Sequence, residues 1–359
     1  LLLDAARPAP WHEPAWRHPE RVARIRALAT HPQWVATHLL ASQLRVGQVA
    51  YFSDLPGKTE DGADTTERRR AAAFTRHIMA MVASTRREVV LQTPYLVMSR
   101  DARHIFRALH RREAPPRVIV STNSLASTDA FAVYALSYKH RKRYLKKFGF
   151  EIHEMKPDAP LAAEAWLAAN IGDTVADAAP AAEPKPSAFG RHGSGNRPVP
   201  LLRPGQRFGL HAKSIVVDDT LAMIGSHNFD PRSDHYNTES GVIVYDKPFA
   251  DRLRASMLGL TRPENAWTIA PRQPRIPWLT DLNQAIGDLS SQLPLFDLWP
   301  FRYATSYQLK PGCAPLRIDD PNFRDCYEPV GDFPDVAISP KLFYTRLITA
   351  FGSGAHGIL

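Results

Sequence analysis

Long apolar runs, cysteine and glycine are all scarce in this 359-residue sequence. No stretch approaches the roughly 18 consecutive apolar residues that a membrane-spanning helix needs, so we expect no part of the sequence to cross a bilayer. The only cysteines, Cys313 and Cys326, are compatible either with one disulfide or with two free thiols. Glycine, at 19 residues, is outnumbered by 31 prolines, which predicts long irregular connections.

The start of the chain also lacks an initiator methionine, a basic segment and a signal peptide. It begins with Leu1, Leu2, Leu3 and Asp4, so we expect a fragment or a processed chain. A hydrophobic content of 44% with 23% charged residues nevertheless excludes wholesale disorder.

What the sequence does contain is positive charge, and that charge is concentrated. The net charge is +9, and between Arg100 and Lys147 there are 12 basic and 3 acidic residues, a local excess of 12 − 3 = +9. Such a block indicates either a face that binds phosphates, of lipids or of nucleic acid, or simply a solvated helix face.

Short apolar strands alternate with amphipathic helices through the middle of the chain, which predicts an α/β fold with a mostly parallel or mixed sheet. In the basic helix that begins near Ala130 and ends at Gly149, we expect the cationic side chains, Arg141 among them, to point mostly outward. The predicted strands are 88–92, 117–121, 150–155, 214–217, 221–224 and 241–245, and a further helix is predicted at 19–29.

Composition divides the chain into three parts. Residues 1–50 form an N-terminal extension, residues 51–262 carry the α/β pattern, and residues 263–359 are predicted to be a loop-rich C-terminal extension. An Ala/Pro-rich insertion at 157–208 interrupts the α/β pattern, and we expect it to be partly disordered.

One group of polar residues points to phosphoryl chemistry. His211 and Lys213 are two apart, and residues with this spacing on a strand project from the same face. A neutral imidazole can attack phosphorus while an ammonium neutralises the non-bridging oxygens. Ser226 and Asn228, also two apart, offer a hydroxyl and an amide to the same oxygens, and Glu239 is expected to accept from the second imidazole nitrogen and fix the tautomer.

The segments HAKSIVVD (211–218) and IGSHNFDPRSDHYNTE (224–239) resemble the second HKD motif of the phospholipase D superfamily. YFSDLPGK (51–58), QTPYLVMSRDA (92–102), STNSLASTDAFAVYA (121–135) and KFGFEIHEMKP (147–157) are similar to the C-terminal half of bacterial C-type cardiolipin synthases. Together these segments cover about residues 45–260. The resemblance implies a phospholipase D-like α-β-α sandwich with a mixed sheet and one HKD module, and it implies no cofactor and no metal.

The resemblance also implies a role for each motif residue. His211 is the expected nucleophile or acid/base, Lys213, Ser226 and Asn228 bind phosphate, and Glu239 orients the imidazole. Asp218 is expected mainly to secure local structure away from the phosphate. The long insertion before His211 and the tail beyond about Arg272 depart from the family pattern.

Members of this superfamily build one site from two HKD motifs, yet the full pattern HxKxxxxD occurs once in this sequence. The second module can belong to an N-terminal half that this chain lacks, or to a second chain that pairs isologously, or the chain can be an inactive remnant. We favour the first, because the resemblance is specifically to a second half.

Four functions are compatible with these residues. The leading hypothesis is phosphatidyl transfer through a phosphohistidine, with phospholipids such as phosphatidylglycerol as substrates and an anionic membrane surface as a partner. Hydrolysis of a phospholipid is the alternative, followed by a nuclease and by an inactive lipid-binding remnant. A nucleic-acid partner is disfavoured because single-motif nucleases are much shorter. We expect peripheral attachment to the bacterial inner membrane, on a leaflet that the sequence does not specify.

Overall fold

The structure is a computed structural model that describes residues 19–41, 43–59, 64–169, 198–203, 205–272, 303–339, 342, 343 and 345. It divides into two units, 1–45 and 46–359. The first contains α1 (Pro19–Ala29), as predicted, then α2 (Pro32–Val35) and a π-helical turn (Ala36–Leu40), and no residue of these three helices is buried.

The second unit is built on a sheet whose ten strands, among the described residues, run in the order β1-β7-β6-β5-β2-β3-β4-β8-β9-β10. β2, β3 and β4 pair in parallel and every other neighbouring pair is antiparallel. The strands are β1 (Gln48–Ser53), β2 (Glu88–Gln92), β3 (Arg117–Asn123), β4 (Phe150–Met155), β5 (Ser214–Val217), β6 (Leu221–Gly225), β7 (Ser240–Tyr245), β8 (Ala266–Pro271), β9 (Ala304–Leu309) and β10 (Tyr327–Gly331). The predicted mixed α/β sheet is confirmed.

Helices cover both faces of this sheet because its central strands are apolar on both sides. Val89, Leu91 and Val118 pack with α4, α5 and α6 on one face, whereas Val90 and Val216 pack with α9 on the other. The helices of this unit are α3 (Thr65–Ala71), α4 (Ala73–Ala83), α5 (Arg100–His110), α6 (Phe131–Phe148), α7 (Pro160–Ala169), α8 (Pro231–His235), α9 (Lys247–Gly259) and α10 (Phe323–Cys326).

Local sequence signals explain where several of these helices begin and end. Asp64 and Glu67 form a capping box at the start of α3. α6 ends at Gly149, whose φ of +64° is readily adopted only by glycine and which donates its N–H to the Tyr144 carbonyl.

The predicted position of Arg141 is wrong. It is 3% exposed, and its guanidinium donates to the Tyr134 hydroxyl at 2.7 Å and to Glu154 at 2.5 Å. The helical pattern placed it among the outward cations, but Glu154 on β4 and the ring of Tyr138, 4.6 Å from the guanidinium carbon, compensate its burial.

The sheet continues across the predicted domain limits. β8 pairs with β4 beyond the expected boundary at 262, and β9 and β10 extend the sheet further, so the described part of the predicted loop-rich extension contributes three strands. The N-terminal boundary lies between residues 45 and 46 rather than at 50, since β1 belongs to the sheet. The first part of the expected insertion forms α7, whereas residues 170–197 lie outside the described residues.

Of the two alternatives for the cysteines, the structure contains the disulfide. Cys313 and Cys326 are bonded, with 5.5 Å between their Cα atoms, and they join the loop after β9 to α10. The bridge therefore closes the connection between the last two strands of the sheet.

His153 on β4 makes stability depend on pH. Burial lowers its pKa to about 4, against an ordinary value near 6.5, although the neighbouring Glu151 opposes the shift. Below pH 6.5 the unfolded chain binds a proton at this imidazole that the folded chain does not, so the free energy of unfolding falls as the pH drops toward 4. We expect this residue to contribute about 2 kcal/mol of that loss.

Urea unfolding at pH 7, 5.5 and 4.5 tests this expectation. The H153Q variant has no proton to bind at this position and is expected to lose less stability between pH 7 and pH 4.5 than the parent. An equal loss in both proteins would show that His153 is not responsible. The comparison also separates it from His140, whose pKa is likewise lowered to about 4 by burial.

Candidate active site

The HKD residues lie where β5 begins, beside the carboxyl ends of the parallel strands β2 and β3. His211 is exposed, and Lys213 Nζ lies 3.0 Å from its Nδ1 and 3.2 Å from its Nε2. Lys213 also donates to the His211 carbonyl at 2.8 Å. The predicted juxtaposition of imidazole and ammonium is therefore present, with the imidazole open to a substrate.

Lys213 is surrounded by carboxylates but is partly desolvated. Burial lowers the pKa of Lys213 below its usual range, whereas the nearby charges of Glu239, Asp129 and Asp230 act in the opposite direction. Three carboxylates therefore act on the charge of Lys213. The sequence had indicated only one of them, Glu239.

Glu239 does not have the predicted partner. Its carboxylate accepts from the Ser226 hydroxyl and from Asn237 Nδ2 at 3.3 Å, and no described hydrogen bond joins it to His211. Ser226 Oγ in turn accepts from the Ser240 amide at 3.0 Å. Because the Ser226 hydroxyl donates its hydrogen bond to Glu239, it has no second proton to donate to a phosphate oxygen. Its predicted role in binding phosphate stays a prediction.

Asn228 has an amide that the protein leaves partly unused. Its side-chain Oδ1 is buried, and among the described residues it has no hydrogen-bond partner. Its backbone is held firmly, since its N–H donates to Ser233 Oγ at 3.1 Å and its carbonyl accepts from Thr93 Oγ1 at 2.9 Å. Because Oδ1 is an acceptor, binding of a phosphate oxygen would need the Nδ2 donor of the same side chain, and the predicted role of Asn228 stays a prediction.

Asp218 lies at the other end of β5 from His211. Its carboxylate accepts from the backbone amides of Arg86, Arg87 and Glu88 at 2.7–2.9 Å, where β2 begins. Six residues, including the four of β5 at about 3.3 Å each, lie between Asp218 and His211, and these bonds attach the end of β5 to the start of β2.

Sequence reasoning missed a buried ion pair behind the site. Lys58 is 1% exposed, and its ammonium donates to Asp54 at 2.5 Å and to the Ser233 carbonyl at 2.6 Å. Asp54 also accepts from the Glu239 amide at 3.1 Å. The Lys58–Asp54 pair thus fixes the backbone of Glu239 directly. It fixes the backbone of Asn228 indirectly, through Ser233.

His227, between Ser226 and Asn228, was also missed as a site residue. It is fully buried, its Nδ1 accepts from the Phe229 amide at 3.0 Å, and its Nε2 lies 3.0 Å from Asp234 Oδ1. The accepted bond at Nδ1 places the ring proton of the neutral imidazole on Nε2. His227 therefore stabilises the turn at Phe229, whose φ of +64° is unusual for a bulky residue.

Another His-x-Lys occurs at His140 and Lys142, but position 147 holds lysine where the motif needs aspartate. It lies inside α6 and offers no second HKD site. Within the described parts of the chain, no group of three or more His, Cys, Asp or Glu side chains is arranged to hold a metal ion.

Comparison with known proteins identifies the family. A family model described as the PLD-like domain of cardiolipin synthase matches residues 78–260, about half of the chain. Cardiolipin synthase C of Escherichia coli K12 is 25% identical over 275 residues, which cover 76% of this chain and 48% of that protein. An uncharacterized protein of Helicobacter pylori J99 is 25% identical over 232 residues, 65% of this chain and 37% of that protein.

The chain thus spans between a third and a half of the length of these two relatives. Among solved structures, NucT from Helicobacter pylori is similar with a TM-score of 0.37 and 12% identity, covering 61% of this chain and 98% of that chain. A score this low carries no argument about activity. The range matched by the family model includes His211, Lys213, Asp218, Ser226, Asn228 and Glu239. The chain belongs to the phospholipase D superfamily, with a PLD-like domain of the cardiolipin synthase type.

Proposed function

We propose that this chain supplies one half of the active site of a phosphatidyltransferase that makes cardiolipin. The observation that carries the proposal is the exposed His211 imidazole in contact with the Lys213 ammonium, inside a domain of the cardiolipin synthase type. Phosphatidylglycerol or a similar phospholipid is the proposed substrate.

The chemistry assigned to His211 is a double displacement. Its ring nitrogen attacks phosphorus, an N–P bond forms, and the P–O bond to the headgroup alcohol breaks, with that alcohol taking a proton from an acid of the second module. The acceptor hydroxyl then attacks the phosphohistidine, gives its proton to the same group and releases His211. Lys213 and Asn228 bind the non-bridging oxygens, where negative charge accumulates.

We propose that a second HKD module, from further sequence of the same protein or from another chain, supplies that acid. The described residues contain one exposed HKD histidine, and a single histidine cannot serve both as nucleophile and as the proton donor on the opposite side of phosphorus. The 359-residue chain alone is accordingly expected to be inactive, and robust turnover by a purified dimer would instead support a site shared between two copies.

We further propose peripheral attachment to an anionic bilayer of the inner membrane. None of the helices in the described ranges is long and apolar enough to cross a membrane. The exposed cations of the 100–147 block, such as Lys146 and Lys147, would attract anionic headgroups at roughly 1 kcal/mol per charge near the surface.

The test is an assay of the full-length gene product with phosphatidylglycerol vesicles, with products identified by lipid mass spectrometry. We expect cardiolipin together with released glycerol. Phosphatidic acid without cardiolipin would establish a hydrolase, and cleavage of plasmid DNA without any lipid product would establish a nuclease; either outcome overturns the proposal, as does the absence of any product.

A further inference from the structure

Two segments that resemble the family, 92–102 and 121–135, have no part in the chemistry described above. The structure brings one residue from each, Tyr95 and Asp129, to the side of His211. Their arrangement indicates which class of acceptor alcohol the site favours in the transfer reaction.

A buried amide fixes these residues relative to the nucleophile. Asn123, 3% exposed, donates to the carbonyls of Pro94 at 3.2 Å and Leu210 at 2.8 Å, and its Oδ1 accepts from the Leu210 amide at 2.8 Å and from Ser127 Oγ at 3.1 Å. Pro94 precedes Tyr95, Leu210 precedes His211, and Ser127 lies in the loop that carries Asp129. A single side chain therefore holds all three segments together.

Tyr95 links the carboxylate to the histidine. Its hydroxyl donates to Asp129 Oδ1 at 3.0 Å, and its ring meets the His211 ring edge-to-face, with 6.4 Å between centroids and an interplanar angle of 82°. Asp129 is exposed, and no described hydrogen bond involves its Oδ2. One oxygen is thus oriented by the tyrosine while the other remains available to a ligand.

A carboxylate at this place does not suit the phosphate itself. Like charges repel, and the phosphate already has Lys213 and Asn228 as partners, so Asp129 must serve a part of the substrate that donates hydrogen bonds. In a transfer reaction that part is the alcohol that approaches phosphorus. The effect of Asp129 on the pKa of Lys213 is consistent with this proximity.

We propose that Asp129, oriented by Tyr95, is a specificity-determining residue that accepts a hydrogen bond from a second hydroxyl of a polyol acceptor, such as a glycerol headgroup. The bond favours a polyol over water and over an alcohol with one hydroxyl. This inference rests on the proposed transferase function and names the acceptor class for the same site.

The test uses the full-length gene product with phosphatidylglycerol vesicles and, as acceptors, either glycerol or 1-propanol. Transfer products and phosphatidic acid are measured by lipid mass spectrometry, with isotope-labelled glycerol to mark transfer. A hydrogen bond to a charged group corresponds to about a tenfold preference or more, so D129N is expected to lower the glycerol-to-propanol ratio about tenfold. Y95F, which leaves Asp129 without its orienting hydroxyl, is expected to lower this ratio less.

The matched control is D101N, which removes an exposed carboxylate from the first turn of α5 and is expected to leave the ratio unchanged. An unchanged ratio in D129N, or an equal fall of transfer to both alcohols and of hydrolysis, would overturn the inference. Failure of the proposed function looks different, because the parent protein would then form no transfer product with either alcohol, whether or not it formed phosphatidic acid.

Discussion

Replacing His211 with alanine is expected to abolish cardiolipin formation by the full-length protein, with a loss of at least about a thousandfold. Removal of a catalytic nucleophile in other enzymes costs this much or more, because no other group forms the covalent intermediate. His211 is exposed, so the substitution should leave the urea midpoint nearly unchanged. Lipid mass spectrometry gives the rate and urea unfolding gives the stability.

The intermediate offers a second measurement on the same variant. A donor lipid with a labelled phosphorus atom should leave an acid-labile label on the parent protein. In H211A, the residues of this chain should carry no label. H104A, which removes another exposed histidine on α5, is the control and should retain both activity and label. Cardiolipin formation by H211A at the rate of the parent would contradict the assignment of the nucleophile.

Replacing Lys58 with methionine is expected to destabilise the folded protein by about 3 to 5 kcal/mol, because it leaves Asp54 buried without its counter-charge. Asp54 Oδ1 also accepts from the Phe74 amide at 2.9 Å and Oδ2 from the Glu239 amide, so the carboxylate cannot simply turn toward water. The midpoint of urea unfolding measures the loss.

Two further variants distinguish a lost ion pair from a lost packing contact. K58M combined with D54N removes both charges and is expected to be less destabilised than K58M alone. K247M breaks an exposed pair with Asp219 and Asp251 and is expected to change the midpoint far less. If K58M and K247M had the same urea midpoint, the buried Lys58–Asp54 pair would contribute no more to stability than the exposed pair.

Much of the fold could be predicted because the signals are local. The strands at 88–92, 150–155 and 214–217 have the predicted limits, since the first and third are short, mainly apolar runs and the second alternates between apolar and polar residues. The HKD residues were found for the same reason, as their spacing within 211–239 is visible in the chain.

The features that the sequence did not predict have a different cause, because each depends on a partner that is distant in sequence. Helical periodicity describes how Arg141 lies on its own helix, but it contains no information about Glu154 on the next strand. β8 and β9 are separated by a long connection, so their membership of the sheet follows from pairing with β4 and with each other rather than from a local alternation.

By itself the sequence identified the superfamily and predicted phosphoryl chemistry, because a histidine, a lysine and an asparagine at fixed short spacings are visible in the chain without reference to the fold. Only the tertiary structure decided how those groups are held. Ser226 rather than His211 is the partner of Glu239, Lys58 supports Asn228 through Ser233, and Asn123 brings Tyr95 and Asp129 beside the nucleophile. The hydrogen bond between Lys58 and Ser233, for example, joins residues 175 positions apart, and such bonds depend on the packed fold, which no local pattern encodes.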